Sequence, residues 1–338
     1  MSPITHADDL RAIPGSTRRV FVLGGTGTIG RATVRALVQR SHEVICFIRK
    51  NGESGESARM LDGATLRFGD VTNPASLAND GFKGENFDVL VSCLASRTGA
   101  PKDAWAIDYE AHVHALALAK ASGVGHMILL SAICVQKPRL AFQYSKLAFE
   151  AALIESGLVY SIVRPTAYFK SLSGQIERVK DGKPFLVFGD GLLTACKPIS
   201  DADLGAYIAE CLDNEDRQNK VLPIGGPGEA VTPKQQGERL FALLGRKPRF
   251  RHVPISLLDA IVGGLTFLSR IFPSLEAKAE LARIGRYYAT ESMVVLDPAT
   301  GLYNADATPS FGTDTLFDFY ARVINGTASV ERGEHSLY

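Results

Sequence analysis

Four glycines fall within seven residues at Gly24-Gly25-Thr26-Gly27-Thr28-Ile29-Gly30, directly behind the apolar run Arg19-Val20-Phe21-Val22-Leu23. After them, residues 31–40 carry Val34, Leu37 and Val38 at helical spacing, so the order reads strand, tight turn, helix. Glycines let such a turn close and let a backbone approach a pyrophosphate, while the helix N-terminus presents unpaired N–H donors to the anion. Gly25, Gly27 and Gly30 satisfy G-x-G-x-x-G. Counted from Gly24, the same residues give G-x-x-G-x-x-G. The segment therefore predicts a dinucleotide site formed by Gly24, Thr26, Gly27, Thr28, Ile29 and Gly30, against the plainer reading of a glycine turn that merely packs. A phosphate loop of the Walker type is excluded, because Arg31-Ala32 follows Gly30 where Lys-Ser/Thr is required.

A chain of 338 residues has room for a major domain and an appended one. With 46 % hydrophobic residues and a net charge of +1, it is neither disordered in composition nor charged for nucleic acid, so a small-molecule partner is expected. Cys46, Cys93, Cys134, Cys196 and Cys211 are scattered and show no C-x-x-C spacing, which reads as reduced, packed thiols of a cytosolic protein. No metal is expected: His112 and His114 point to different faces of a helix, and no third ligand is near in sequence. Residues 1–18 lack the apolar core of a signal peptide and read as a flexible tail. The stretch 253–272 is greasy but interrupted by Pro254, Asp259 and Arg270, so it does not span a bilayer.

Further strands are expected at 43–48, 65–68, 87–93, 126–130 and 159–163, alternating with helices at 104–122 and 140–156. This alternation predicts an α/β fold, a Rossmann-type doubly wound parallel sheet over 19–166, followed by a smaller C-terminal substrate domain over 167–338. The second half reads as short strands at 184–188 and 192–199, helices at 201–212 and 232–244, an apolar helix after 256 and a charged one at 275–286.

The end of the second strand selects the cofactor. An NAD site places an acid there for the ribose hydroxyls, whereas an NADP site places cations around the 2′-phosphate. This strand ends at Arg49-Lys50, and the nearest acid, Glu53, falls in a Gly/Ser-rich loop. NADPH is therefore expected, with Arg49 on the phosphate and Arg31 reaching it from the helix start. Asp70 and Val71 follow the third strand and are candidates for the adenine, with a helix cap before Pro74 as the alternative for Asp70. Leu94 and Ala95 are expected beneath the ribose, and Pro165, where the sixth strand stops, is a further cofactor-binding candidate.

A short-chain dehydrogenase places a Ser after the fifth strand and a Tyr-x-x-x-Lys on the next helix, the tyrosine protonating a carbonyl oxygen. Ser131 stands in that place, but the helix reads Phe142-Gln143-Tyr144-Ser145-Lys146, so Phe142 occupies the tyrosine position. Tyr144 lies about 200° around the helix from it. The lysine remains without the carbonyl acid, which leaves reduction of something other than a carbonyl, or cofactor binding without turnover.

Gly24 to Gly30, Gly69-Asp70-Val71, Ser145-Lys146 through Glu150, Val163-Arg164-Pro165 and Pro198-Ile199-Ser200 with Asp203-Leu204 resemble the atypical short-chain dehydrogenase/reductase group that includes isoflavone reductases and NmrA-like proteins. Residues 283–293, with Thr308-Pro309-Ser310-Phe311-Gly312 and Asp314-Thr315-Leu316, are most similar within that group to the NADPH-dependent divinyl chlorophyllide 8-vinyl reductases. The resemblance implies a Mg-chlorin substrate and a C=C bond, a reaction of chlorophyll and bacteriochlorophyll synthesis that needs no carbonyl acid. It implies that Lys146 orders the nicotinamide ribose and relays the proton, against the plainer reading of a surface lysine, with Ser131 and Tyr168 as further catalytic candidates. Phe169, with Tyr168, would wall the nicotinamide and chlorin, against the plainer reading of core aromatics, and Tyr287, Tyr288 and Glu291 would close the substrate pocket. The expected location is cytoplasmic. Within 253–272, Leu257, Leu258, Ile261, Val262, Leu265, Phe267 and Leu268 are expected to form one greasy surface that serves as a lid over the substrate or as a peripheral membrane contact, against the plainer reading of a helix packed on its own domain. The contrasting expectation is a non-catalytic NADP(H) sensor or structural subunit on the same scaffold, or a reductase of another conjugated apolar substrate.

Overall fold

The computed structural model describes residues 17–50 and 59–330. Strands β1 (Arg19–Leu23), β2 (Glu43–Ile48), β3 (Thr65–Phe68), β4 (Val89–Ser92), β5 (His126–Leu130) and β6 (Val159–Pro165) join β8 (Lys220–Ile224) in one seven-stranded sheet of order β3-β2-β1-β4-β5-β6-β8. Every pairing in it is parallel. Parallel sheets are covered on both faces, and β1 shows how: Val20 and Val22 enter one core while Phe21 and Leu23 enter the other. On the first face α1 (Thr28–Gln39) contributes Val34 and Leu37. The second is covered by α2 (His112–Ala121) and α3 (Ala141–Glu155), which contribute Leu116, Phe149 and Leu153.

The sheet does not end where the sequence predicted, at residue 166. Helix α4 (Asp201–Glu210) packs Leu204 and Ile208 into the same core as α1, and β8 then adds to β6. The apolar spacing of α4 was legible as a helix, but the strand after it is masked by its exposed start at Lys220 and Val221. The smaller unit consists of β7 (Phe185–Phe188) paired in parallel with β9 (Phe250–Val253), together with α5 (Pro233–Leu243) and α8 (Leu316–Ile324). Phe185, Val187, Leu240, Phe241 and Tyr320 form its core. Residues 192–199 are not the expected strand; they make single bridges from Cys196 to Val231 and Met293 and from Ile199 to Tyr168, because the segment threads between elements instead of following one partner.

The helix expected over 104–122 is broken. A short turn, Pro101–Ala104, leads into a wide π-helical segment, Trp105–Ala111, before α2 begins. Such insertions re-aim side chains and are frequent near functional sites. The last two long helices, α6 (Ile255–Ser269) and α7 (Glu276–Thr290), pack on each other, and α7 returns to the mouth of the sheet, where Tyr287 and Ile284 join Ile133, Cys134 and Leu140.

Candidate active site

The glycine turn lies at the carboxyl end of β1, against the end of β4. Gly24 takes φ +74°, and a Cβ there would sit 2.5 Å from the Cys93 carbonyl carbon; one on Gly30 would sit 2.1 Å from the Gly24 oxygen. These two glycines are demanded by the chain itself. Gly27 differs, since a Cβ there would meet only the Gly24 oxygen, at 3.4 Å. It stands at the N-cap of α1 with extended backbone and no side-chain cap, so the first N–H groups of that helix are left for a ligand. The arrangement fits a pyrophosphate.

Around the turn, Thr26 is exposed and Ile29 is buried in the core. Lys170 Nζ donates to Thr28 Oγ1 at 3.0 Å, which brings an ammonium across the turn from the far side of the cleft. Sequence reasoning missed this lysine; the only signal is its place just after Arg164-Pro165 at the end of β6. Arg49 is exposed at the end of β2, and Glu53, the nearest acid in sequence, lies outside the described residues. Arg31 reaches the Thr26 carbonyl and Met60 Sδ, both at 3.4 Å. Asp70 is exposed and accepts from Thr72 N at 2.9 Å, whereas Asn73 caps the helix at Pro74, which corrects the capping alternative for Asp70. Val71 and Leu94 border the second core, with Ala95 exposed beside them. Pro165 is buried at the end of β6.

Lys146 is not a surface lysine. Its Nζ lies 2.9 Å from Asp108 Oδ1, and Asp108 is fully enclosed in the π-helical segment. Oδ1 also accepts from Ser96 N at 3.2 Å, while Oδ2 is buried with no hydrogen-bond partner among the described residues. A buried carboxylate oxygen left unpaired beside a lysine is a place for a ligand hydroxyl or a water. Next to it, His112 accepts from Ser92 Oγ at Nε2 (2.8 Å) and donates from Nδ1 to the Ile107 carbonyl (2.8 Å). Burial and the nearby Lys146 charge push its pKa down to about 4, so the imidazole is neutral and fully engaged.

Ser131 is buried, and its hydroxyl donates to Glu150, whose carboxylate also pairs with Arg164. It thus ties the end of β5 to α3 and β6. Tyr168 is half-buried, and burial pushes its hydroxyl well above the ordinary phenol value. Phe169 turns away into the smaller core against Phe319, with centroids 5.6 Å apart, which corrects its expected place beside the substrate. At the expected acid position Phe142 packs near Gly99 and Ile284. Tyr144 is 51 % exposed and donates outward to the Pro138 carbonyl at 3.1 Å.

The C-terminal candidates divide. Tyr287 is buried and donates to the Cys134 and Lys137 carbonyls at 2.9 and 3.0 Å. Glu291 pairs with Lys137 (2.7 Å) and Arg139 (3.3 Å) and accepts from Tyr303 (2.7 Å). Burial opposes its charge, but the bonds from Lys137 and Tyr303 hold the carboxyl below the usual range. Both residues therefore clamp α7 onto the segment after β5. Tyr288 alone keeps its ring partly open, at 41 % exposure, with its hydroxyl 3.8 Å from Cys134 Sγ.

A parallel sheet with an uncapped glycine-turn helix and a buried lysine at its carboxyl edge defines a nicotinamide-nucleotide-binding reductase of the short-chain type. In agreement, a family model described as NAD(P)H-binding matches residues 24–215. A divinyl chlorophyllide a 8-vinyl-reductase of Cucumis sativus is 53 % identical over 94 % of this chain and 79 % of its own length. Its counterpart in Zea mays is 49 % identical over 100 % and 87 %. The chain belongs to the divinyl chlorophyllide a 8-vinyl-reductase family. Among solved structures, a leucoanthocyanidin reductase of Vitis vinifera superposes with a TM-score of 0.65 at 17 % identity, over 91 % of this chain and 99 % of that one, and shares the fold.

Proposed function

We propose that this protein reduces the 8-vinyl group of divinyl chlorophyllide to ethyl at the expense of NADPH. The 53 % identity to the cucumber reductase over nearly the whole chain carries the reading. Phe142 in place of the carbonyl acid agrees with it. A vinyl group conjugated to the macrocycle accepts hydride at its terminal carbon, because the charge spreads into the ring, and a proton then adds at the carbon next to the ring. No oxyanion forms, so no tyrosine is needed at that position.

The bound nicotinamide supplies the hydride, and the chain supplies position and the proton. Gly27 and the first turn of α1 hold the pyrophosphate with Lys170 beside them, and Arg49 and Arg31 hold the 2′-phosphate. Lys146, fixed by Asp108, holds the nicotinamide ribose. Tyr288 and Tyr168, whose hydroxyls burial keeps protonated, would be the phenolic donors for the ring-adjacent carbon.

The test is optical. Purified protein with divinyl chlorophyllide and NADPH is expected to shift the absorption spectrum to that of the monovinyl pigment, and far more slowly with NADH. A spectrum that stays unchanged, with NADPH binding shown by fluorescence, would sink the reading in favour of a non-catalytic nucleotide-binding role.

A further inference from the structure

Helix α6 carries its polarity inside out. Its half-buried positions, Ile255, Leu258, Val262, Leu265, Thr266 and Ser269, fall on one side and face α7, as do its polar contacts: Asp259 takes Arg286 Nε at 2.5 Å, and Thr266 Oγ1 takes Arg283 at 2.9 Å. The outward face is apolar. Leu257, Ile261, Gly264 and Leu268 recur at spacings of four, three and four, one helical stripe continued by Ile271 and Phe272. Leu257 is 51 %, Phe267 63 % and Ile271 58 % exposed, values far from those of a packed face. Cβ atoms added at Gly263 and Gly264 would meet nothing within 4 Å, so nothing among the described residues covers this side at those positions.

What precedes the stripe indicates what covers it. Residues 246–252, Arg-Lys-Pro-Arg-Phe-Arg-His, hold four cations and no acid, and β9 carries the last of them straight into α6 through Pro254. Arg246 and Arg249 are tied to the carbonyls of Val179, Lys180 and Gly182, whereas Lys247 and Arg251 stand exposed. A greasy helix about 22 Å long beside a basic segment is complementary to a lipid surface with anionic headgroups. Spanning is excluded, since no helix among the described residues is long and apolar enough to cross a membrane.

We infer that the outer face of α6, with Ile271 and Phe272, docks in the interface of an anionic bilayer while residues 246–251 meet its headgroups. The inference stands on this surface and not on the reaction proposed above. The full chain should pellet with vesicles of phosphatidylcholine containing phosphatidylglycerol, and weakly with phosphatidylcholine alone. Ile261→Asp with Leu268→Asp should abolish pelleting while NADPH binding and melting temperature hold. Lys247→Ala and Arg251→Ala should each weaken binding to anionic vesicles roughly fivefold, a loss that added salt reproduces. Equal binding to neutral and anionic vesicles, or none to either, overturns the inference. So does a dimer seen by sedimentation that Ile261→Asp dissociates, since a second copy would then cover the stripe.

Discussion

Lys146 Nζ and Asp108 Oδ1 form a 2.9 Å ion pair in which the carboxylate is wholly excluded from solvent. The pair joins α3 to the π-helical segment at the sheet's carboxyl edge, so one contact supports both fold and site. Removing the lysine alone leaves a buried charge unmatched, at a cost of about 3–5 kcal/mol. Lys146→Ala should therefore lose both turnover and stability. Lys146→Ala with Asp108→Ala should regain most of the melting temperature and none of the turnover. Recovery of activity in the double variant would exclude Lys146 from the chemistry.

Cofactor selectivity separates two kinds of cation. Arg49 stands at the end of β2, whereas Lys170 lies against the glycine turn through Thr28. Arg49→Ala should weaken NADPH by about 1.5–3 kcal/mol and leave NADH nearly unchanged, the value of one charge-assisted hydrogen bond. Lys170→Met should weaken both nucleotides alike, because the pyrophosphate is common to them. Binding titrations with each nucleotide decide this, and equal losses for Arg49→Ala would remove it from the 2′-phosphate.

The tyrosines offer a direct contrast. Tyr144 donates to the Pro138 carbonyl on the outside of α3, while Tyr288 holds its hydroxyl beside Cys134 at the sheet's mouth. Tyr144→Phe should keep nearly all activity. Tyr288→Phe should lower kcat by roughly 10²-fold if it delivers the proton, with little change in the KM for NADPH. An inactive Tyr144→Phe enzyme with a normal melting temperature would refute the register of α3.

Local signals made the first six strands of the sheet readable: the glycine turn, the buried strands and the lysine of α3 each occupy a few consecutive residues, whereas β8 with its exposed start carries no such signal. Asp108 was not readable, because it lies 38 residues before Lys146 on a π-helical turn that a 3.6-residue period does not detect. Lys170 meets Thr28 across 142 residues for the same reason: only the folded sheet brings its strand ends together. In α6 the apolar run was evident but its orientation was not. Leu265 and Leu268, both expected on one greasy surface, fall on the α7 side and the outer side respectively.

Acid should destabilise this fold through two histidines held neutral inside it. His112 is locked between Ser92 and the Ile107 carbonyl, and His126 Nε2 donates to Ser161, whose own hydroxyl donates to the Arg217 carbonyl. Burial lowers both pKa values from 6.5 to about 4, so in the interval between, the unfolded chain binds protons that the folded one does not. Their contribution is complete above pH 6.5 and is lost as the pH falls toward 4, by about 3 kcal/mol for each histidine. The melting temperature should fall across that window, and His126→Gln should flatten its slope by about half, because Gln keeps a donor toward Ser161 without titrating. A slope that His126→Gln leaves unchanged would assign the acid sensitivity to other groups.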